Sequence, residues 1–361
     1  MTLTKYAANL WILRNASIAL RVARGFFRAL VLRRNTLKVI ELYPTFHCQS
    51  GCRMCSVKKY DREGAAALSL ADYEGIARDG ARLGAIAMVL LGGEPSLSPD
   101  AIEIIRIFKR HGYFVTMVSN ALSLTGQKLE EYRHAGLDSI YFSLESLDAG
   151  INDEIRGAPG HFAAVMQAIT AARSCGLLVG LAGVIVPGQV ERFEQLLRFC
   201  EERGLLASGG EIATVGAAEG QGVVSDEEHA VIAGFLRRYP RLTFDWGLSY
   251  FLRPQCPAGK EKIGVTCYGD VIGCSLTPIM FGNIRNEALE RIWRRMGSFS
   301  AFRKNADRCL AACDRAFITR YLRTIHDRRR HPVVFTDHPG IQPESEPELF
   351  RDLPPYLTRP K

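Results

Sequence analysis

A chain of 361 residues, 47% apolar and 23% charged, has the composition of an ordinary globular protein, with material for two domains or for one large barrel with an appendage. Its ten cysteines are too dispersed for a small disulfide scaffold, and with no secretory signal peptide the expected setting is the reducing cytoplasm. The net charge of +8 is concentrated: residues 1–34 carry Lys5, Arg14, Arg21, Arg24, Arg28, Arg33 and Arg34 and no acid, so the rest of the chain is nearly neutral and a nucleic-acid-binding face is excluded.

Residues 8–32 read as a helix, the core of a basic amphipathic segment over residues 1–36. Arg14, Arg21, Arg24 and Arg28 fall on one stripe, and Leu10, Leu13, Leu20, Phe27 and Val31 lie mostly on another side with Trp11 and Phe26. Arginine interrupts the apolar runs too often for a transmembrane span. Three readings stay open: a helix on an anionic membrane surface, a helix packed on the protein body with its arginines in water, or a transit segment.

Val39–Tyr43 reads as a short strand ended by Pro44, and Cys48, Cys52 and Cys55 follow in a loop that Gly51 helps to turn. Three converging thiolates suit zinc or an iron–sulfur cluster, and the missing local fourth ligand leaves a coordination position open. A zinc knuckle completed by a distant side chain such as His47 is the alternative.

Beyond the loop, helix and strand alternate. A helix capped at Ser69 runs to Leu83, and the apolar run Ala87–Leu91 leads into Gly92-Gly93-Glu94-Pro95, where two glycines permit close approach to a ligand. A helix around residues 100–111 precedes strand Phe114–Val118 and Ser119-Asn120. Helix Gly126–His134 precedes strand Ser139–Ser143, Glu145 and Arg156. Helix Phe162–Cys175 precedes strand Leu178–Val186, and helix Glu191–Arg203 precedes a last strand near Glu211–Val215. Six largely apolar strands alternating with helices predict an α/β fold, a parallel, barrel-like sheet over residues 37–222 with its working end where strands run into helices. Cys175 and Cys200 have no cysteine neighbours in sequence and are expected in the core.

The spacing Cys48-x3-Cys52-x2-Cys55 after a first strand, with Gly92-Gly93-Glu94-Pro95 after the second, resembles the signature of the radical SAM superfamily. The resemblance implies a partial (βα)6 TIM-like barrel. It implies a [4Fe–4S] cluster on Cys48, Cys52 and Cys55 whose fourth iron binds S-adenosylmethionine, and reductive cleavage of that cofactor to a 5′-deoxyadenosyl radical that abstracts hydrogen from a substrate. Cofactor contacts would come from Gly92, Gly93, Glu94 and Pro95, from Ser119, Asn120, Ser143, Glu145 and Arg156, and from Met54, which stands where the family usually has an aromatic residue.

Residues 223–252 read as a helical linker, with a helix opened at Ser225-Asp-Glu-Glu228. Five cysteines then fall within 58 residues, Cys256, Cys267, Cys274, Cys309 and Cys313, a density typical of metal sites. Tyr268–Gly273 reads as a hairpin that returns Cys274 toward Cys256. The spacing Cys256-x12-Gly269-x4-Cys274, followed by Gly-Asn-Ile and Ile-Trp, resembles the SPASM or twitch extension of radical SAM enzymes. That implies a small cysteine-rich α+β domain over residues 253–320 with one auxiliary [4Fe–4S] cluster on Cys256, Cys274, Cys309 and Cys313. Cys267 is the odd thiol and could replace any of the four; a four-cysteine zinc site is the alternative. Seven of sixteen prolines follow residue 330, so residues 321–361 are expected as an extended or partly disordered tail.

An oxidoreductase acting on a small-molecule or lipid-linked substrate is therefore expected, with an external one-electron donor such as flavodoxin or ferredoxin and membrane association through residues 1–34. A peptide-modifying maturase is the alternative, and a zinc-organised scaffold a third reading.

Overall fold

The computed structural model describes residues 16–247, 249–304 and 306–358. The first half of the expected N-terminal helix lies outside the described residues; its second half is α1 (Ala16–Leu30). The body alternates β1 (Val39–Tyr43), α2 (Leu70–Leu83), β2 (Ala87–Leu90), α3 (Ala101–Arg110), β3 (Phe114–Ser119), α4 (Gly126–Ala135), β4 (Ser139–Ser143), α5 (Ala149–Arg156), α6 (His161–Ser174), β5 (Leu178–Ile185), α7 (Val190–Glu202), β6 (Leu206–Glu211), α8 (Asp226–Arg238) and β7 (Leu242–Phe244). The C-terminal region adds β8 (Lys262–Thr266), β9 (Asp270–Ile272), β10 (Ile279–Asn283), α9 (Leu289–Ser298) and β11 (Val333–Val334).

The eleven strands among the described residues form one sheet in the order β11-β10-β9-β8-β1-β2-β3-β4-β5-β6-β7. The run from β8 through β1 to β7 is parallel throughout. The expected partial barrel is present, and it is longer than six strands. The segment read as a linker contributes β7, and the cysteine-rich region is continuous with the barrel through β8 on β1, with Val39 opposite Lys262 and Tyr43 opposite Thr266. Successive side chains on each strand face opposite ways. Ile40, Leu42, Met88, Leu90, Met117, Ile140 and Phe142 are fully buried in the main core, whereas Glu41, Val89, Thr116, Val118, Tyr141 and Ala182 line a central cavity.

β6 is Leu206–Glu211, earlier in sequence than expected, because Ser208-Gly209-Gly210 is a poor strand former that neighbouring ladders and packing nonetheless hold extended. A Cβ on Gly209 would sit 2.4 Å from the Phe193 ring, so the glycine lets α7 approach the sheet.

No ladder joins β7 to β8 among the described residues. Side chains bridge that seam instead. Lys262 Nζ, at the start of β8, lies 2.5 Å from Asp245 Oδ2, just after β7, and 2.8 Å from Glu41 Oε1. Tyr43 donates to Glu41 Oε2 at 2.5 Å, and Gln255 N–H donates to the Trp246 carbonyl at 2.9 Å.

α1 packs across the end of the barrel where β2 and β3 begin, opposite the cysteine loop. Arg21 donates to the carbonyls of Ala85, His111 and Gly112 at 2.6, 2.9 and 2.8 Å. Gly25 lies against the Tyr250 ring, which a Cβ would meet at 2.5 Å. Residues 321–358 are not a loose tail. β11 pairs with β10, Phe335 stacks on Phe281 at 5.8 Å, and Ile341, Leu349 and Leu357 are buried, so the prolines punctuate a packed segment.

Lys262 is buried between two carboxylates, so Lys262→Met leaves Glu41 uncompensated and is expected to lower unfolding stability by about 3 kcal/mol. Asp245→Asn, at a side chain 69% exposed, is expected to cost under about 1 kcal/mol. Chemical denaturation of both variants checks the contrast; equal losses would contradict the role given to the ammonium.

Candidate metal and cofactor site

Four backbone hydrogen bonds hold the cysteine loop from three sides. The Gly93 and Glu94 N–H groups donate to the carbonyls of Thr45 and His47 at 2.9 and 2.8 Å. Arg53 N–H reaches the Ile155 carbonyl at 3.1 Å, and Ala217 N–H reaches the Cys55 carbonyl at 2.8 Å. The two glycines after β2 serve this contact. A Cβ on Gly93 would lie 2.3 Å from the His47 carbonyl oxygen, and one on Gly92, whose φ is +130°, would lie 2.4 Å from that of Thr45. The close approach anticipated toward a ligand is thus made to the cysteine loop itself.

Cys48 is exposed, and Cys52 and Cys55 are half-buried. Burial pushes the Cys52 thiol up to about 11; Arg156 opposes this, and the Cys55 and Cys48 thiols add to it. Asn120 Nδ2 and the Ser50 N–H point at Cys48 Sγ from 3.5 and 3.4 Å. The His47 ring is exposed and lies 4.0 Å from Asp61. Three soft donors on one loop suit a cluster that keeps one iron open.

Glu94 is almost wholly buried, and its carboxylate is committed within the chain. It accepts from Ser96 N–H and Oγ at 3.1 and 2.6 Å, from Ser119 Oγ at 2.8 Å and from Asn120 N–H at 2.7 Å. It ties the turn that includes Pro95 to the end of β3. Glu145 accepts from Val184 N–H at 2.8 Å and from Arg156 at 3.2 Å, and burial raises its carboxyl while Arg156 opposes the rise. Arg156 Nε is buried with no partner, a donor left for a ligand beside the cysteines. Ser143, at the end of β4, is half-buried. Met54 borders the central cavity and a small pocket lined by Glu145, Val184, Gln189 and Arg192. Gln189 and Arg192 carry no sequence signal, since they come from a turn and helix after β5.

In the second cysteine set, the Cys309 thiol feels the other three. Cys309 is held high by burial, with further contributions from the Cys256, Cys313 and Cys274 thiols and from Glu211. Burial brings Cys274 to about 12, with Glu41 and Cys256 adding. The hairpin of β8 and β9 returns Cys274, whose N–H donates to Thr277 Oγ1 at 3.0 Å. Cys313 Sγ also lies 3.9 Å from His229 Nδ1, which is 2.9 Å from Glu211 Oε1; Trp246 Nε1 donates to the other Glu211 oxygen at 3.2 Å. Cys267 is buried in a separate cluster with Tyr43, Phe46 and Tyr60, and burial takes its thiol to about 11. Cys200 is a core thiol; Cys175 is only partly buried against the core.

A cavity of about 440 Å³ is bordered by Met54 and Ser56, the sequence neighbours of Cys55, and by three cysteines of the second set. The three are Cys256, Cys274 and Cys309, and Glu41, Asp245, Glu211 and Lys262 are the charged groups of its wall. Sequence reading missed these four because none belongs to a local motif: Lys262 meets Glu41 and Asp245, and Glu211 meets His229, only through the fold.

Residues 42–200 match the radical SAM superfamily, and residues 256–315 match the SPASM iron–sulfur cluster-binding domain. The chain belongs to the radical SAM superfamily. The AdoMet-dependent heme synthase of Oleidesulfovibrio alaskensis is 23% identical over 72% of this chain and 75% of its own length. The PqqA peptide cyclase of Methylocella silvestris is 26% identical over 72% and 74%. Among solved structures, Streptococcus suis SuiB bound to precursor peptide SuiA shares the fold with a TM-score of 0.59 at 17% identity, over 75% of this chain and 68% of that one. This radical SAM chain is accordingly an enzyme of [4Fe–4S] and S-adenosylmethionine chemistry with a SPASM-type auxiliary iron–sulfur region.

Gly93→Ala forces its Cβ against two carbonyls of the cysteine loop, so anaerobic reconstitution is expected to give roughly half the iron of the parent chain, with the second site still loaded. The thiol shifts give a pH test. Cys52 and Cys274 titrate higher folded than unfolded, so their contribution is intact below about pH 8.5 and is lost as pH rises through about 11 and about 12. Metal-free protein is expected to lose melting temperature over that range faster than iron-loaded protein, whose thiolates are already deprotonated. Parallel thermal scans of the two forms check the difference.

Proposed function

We propose that this chain is a peptide-modifying radical SAM oxidoreductase that takes hydrogen from a substrate group held in the cavity between its two cysteine sets. Cys48, Cys52 and Cys55 would hold the [4Fe–4S] cluster, and Cys256, Cys274, Cys309 and Cys313 the auxiliary one. The observation that carries the reading is the cavity bordered by Met54 and by three auxiliary cysteines. With S-adenosylmethionine bound, the cluster supplies a 5′-deoxyadenosyl radical for hydrogen abstraction; its electron comes from an external donor such as flavodoxin or ferredoxin.

The chain's own residues shape what enters. Glu41 and Asp245 keep Lys262 protonated against the desolvation that opposes it, so Lys262 acts as a fixed cation and not as a base. With three carboxylates and one ammonium, the wall suits a substrate group that donates hydrogen bonds. Val89, Leu91, Val118 and Leu276 supply apolar wall that limits water. Gly210 leaves open space where a side chain would otherwise intrude.

A peptide substrate is favoured by the relative named as a peptide cyclase. The small-molecule or lipid-linked substrate expected from the sequence has less support, because α1 lies at the end of the barrel away from the cysteine loop. A small molecule remains a second reading on the strength of the relative named as a heme synthase. The zinc-scaffold reading is set aside by membership of the radical SAM superfamily.

The test uses the anaerobically reconstituted enzyme with reductant and S-adenosylmethionine. A low-mass fraction of a source lysate is added with or without prior protease digestion. Stimulation of 5′-deoxyadenosine release that digestion abolishes is the expected result. Stimulation that survives digestion would assign a small-molecule substrate, and absence of 5′-deoxyadenosine under all conditions would overturn the enzyme reading.

A further inference from the structure

We infer that the outward face of α1 docks this enzyme on an anionic phospholipid surface. The inference rests on the helix alone and is independent of the reaction. A helix lying on a protein normally turns a polar face to water. α1 does not. Its inner face is occupied: Ile18, Gly25 and Ala29 are buried, and Arg21 is spent on three backbone carbonyls. Its outer face exposes Leu20 (73%), Phe27 (54%), Leu30 (49%) and, just past its end, Val31 (64%). Leu20, Phe27 and Val31, spaced by seven and four residues, form one apolar stripe, and Leu30 stands beside it.

Charge selects the occupant. Exposed Arg24 sits within the stripe and exposed Arg33 and Arg34 flank its end, while residues 1–34 carry seven cations and no acid. An apolar stripe bracketed by arginine is the pattern of a helix lying in an anionic interface, with side chains in the acyl boundary and guanidinium groups among phosphates. Among the described residues, no helix is long and apolar enough to cross a membrane, so this is docking in the plane. Because α1 covers the barrel end where β2 and β3 begin, the cysteine loop would face away from the bilayer, which suits a substrate arriving from the aqueous side.

The test is co-sedimentation of the full chain with vesicles of phosphatidylcholine alone or with one third phosphatidylglycerol. Binding to the anionic vesicles only, weakened by salt, is expected. Leu20→Glu/Phe27→Glu/Val31→Glu is expected to abolish it. Arg24→Ser/Arg33→Ser/Arg34→Ser, at exposed sites that keep the fold, is expected to reduce partitioning about a hundredfold. Both variants should reconstitute the parent iron content. No sedimentation, or equal sedimentation with neutral vesicles, would overturn the inference. So would concentration-dependent dimerisation that the Glu variant removes, which would assign the face to a second copy. A fall in melting temperature of the Glu variant with unchanged vesicle binding would assign it to residues of the same chain and equally overturn it.

Discussion

Two peptide hydrogen bonds, from Gly93 and Glu94 to the carbonyls of Thr45 and His47, set the position of the first cysteine loop relative to the barrel. They require glycine on the donating side, because any Cβ at Gly93 would collide with the accepting backbone. The same turn then orders the next strand end, since the Glu94 carboxylate binds Ser119 and the Asn120 N–H, and the Asn120 side chain returns to Cys48 Sγ. The loop, the turn after β2 and the end of β3 form one closed circuit of hydrogen bonds. A three-thiol site needs such a frame, because nothing in three cysteines alone prevents a fourth ligand from swinging in.

The second constraint is the unladdered seam between β7 and β8. Parallel strands left without a ladder would expose unpaired backbone, and here Lys262, Asp245 and Glu41 bridge the gap with charge. The bridge also fixes part of the wall of the cavity, so bridging the seam and shaping the cavity are one event. Continuity of β8 with β1 brings Cys256 and Cys274 to the cavity that Met54 borders.

The parts legible in the sequence are those encoded by near neighbours. Cysteine spacing, the Gly92-Gly93-Glu94-Pro95 turn, the capping boxes at Ser69 and Ser225 and the β8–β9 hairpin are all set within a few residues. β6 was displaced because Gly209 and Gly210 are chosen for helix approach and cavity space, against strand propensity. β7 is three residues long, too short to show periodicity. The seam escaped because Glu41 and Lys262 are 221 positions apart and neither belongs to a local pattern. Glu94 shows the converse limit: its place in a motif was plain, but its four partners within the chain were not.

The account depends on the first cysteine site keeping a coordination position that S-adenosylmethionine completes. Electron paramagnetic resonance of the reduced chain carrying Cys256→Ala, Cys274→Ala and Cys309→Ala isolates that site. Adding S-adenosylmethionine labelled with ¹⁵N at its amino group is predicted to shift the cluster signal and to give a hyperfine coupling to the label. A signal unchanged by the cofactor, with no coupling to nitrogen, would contradict the account.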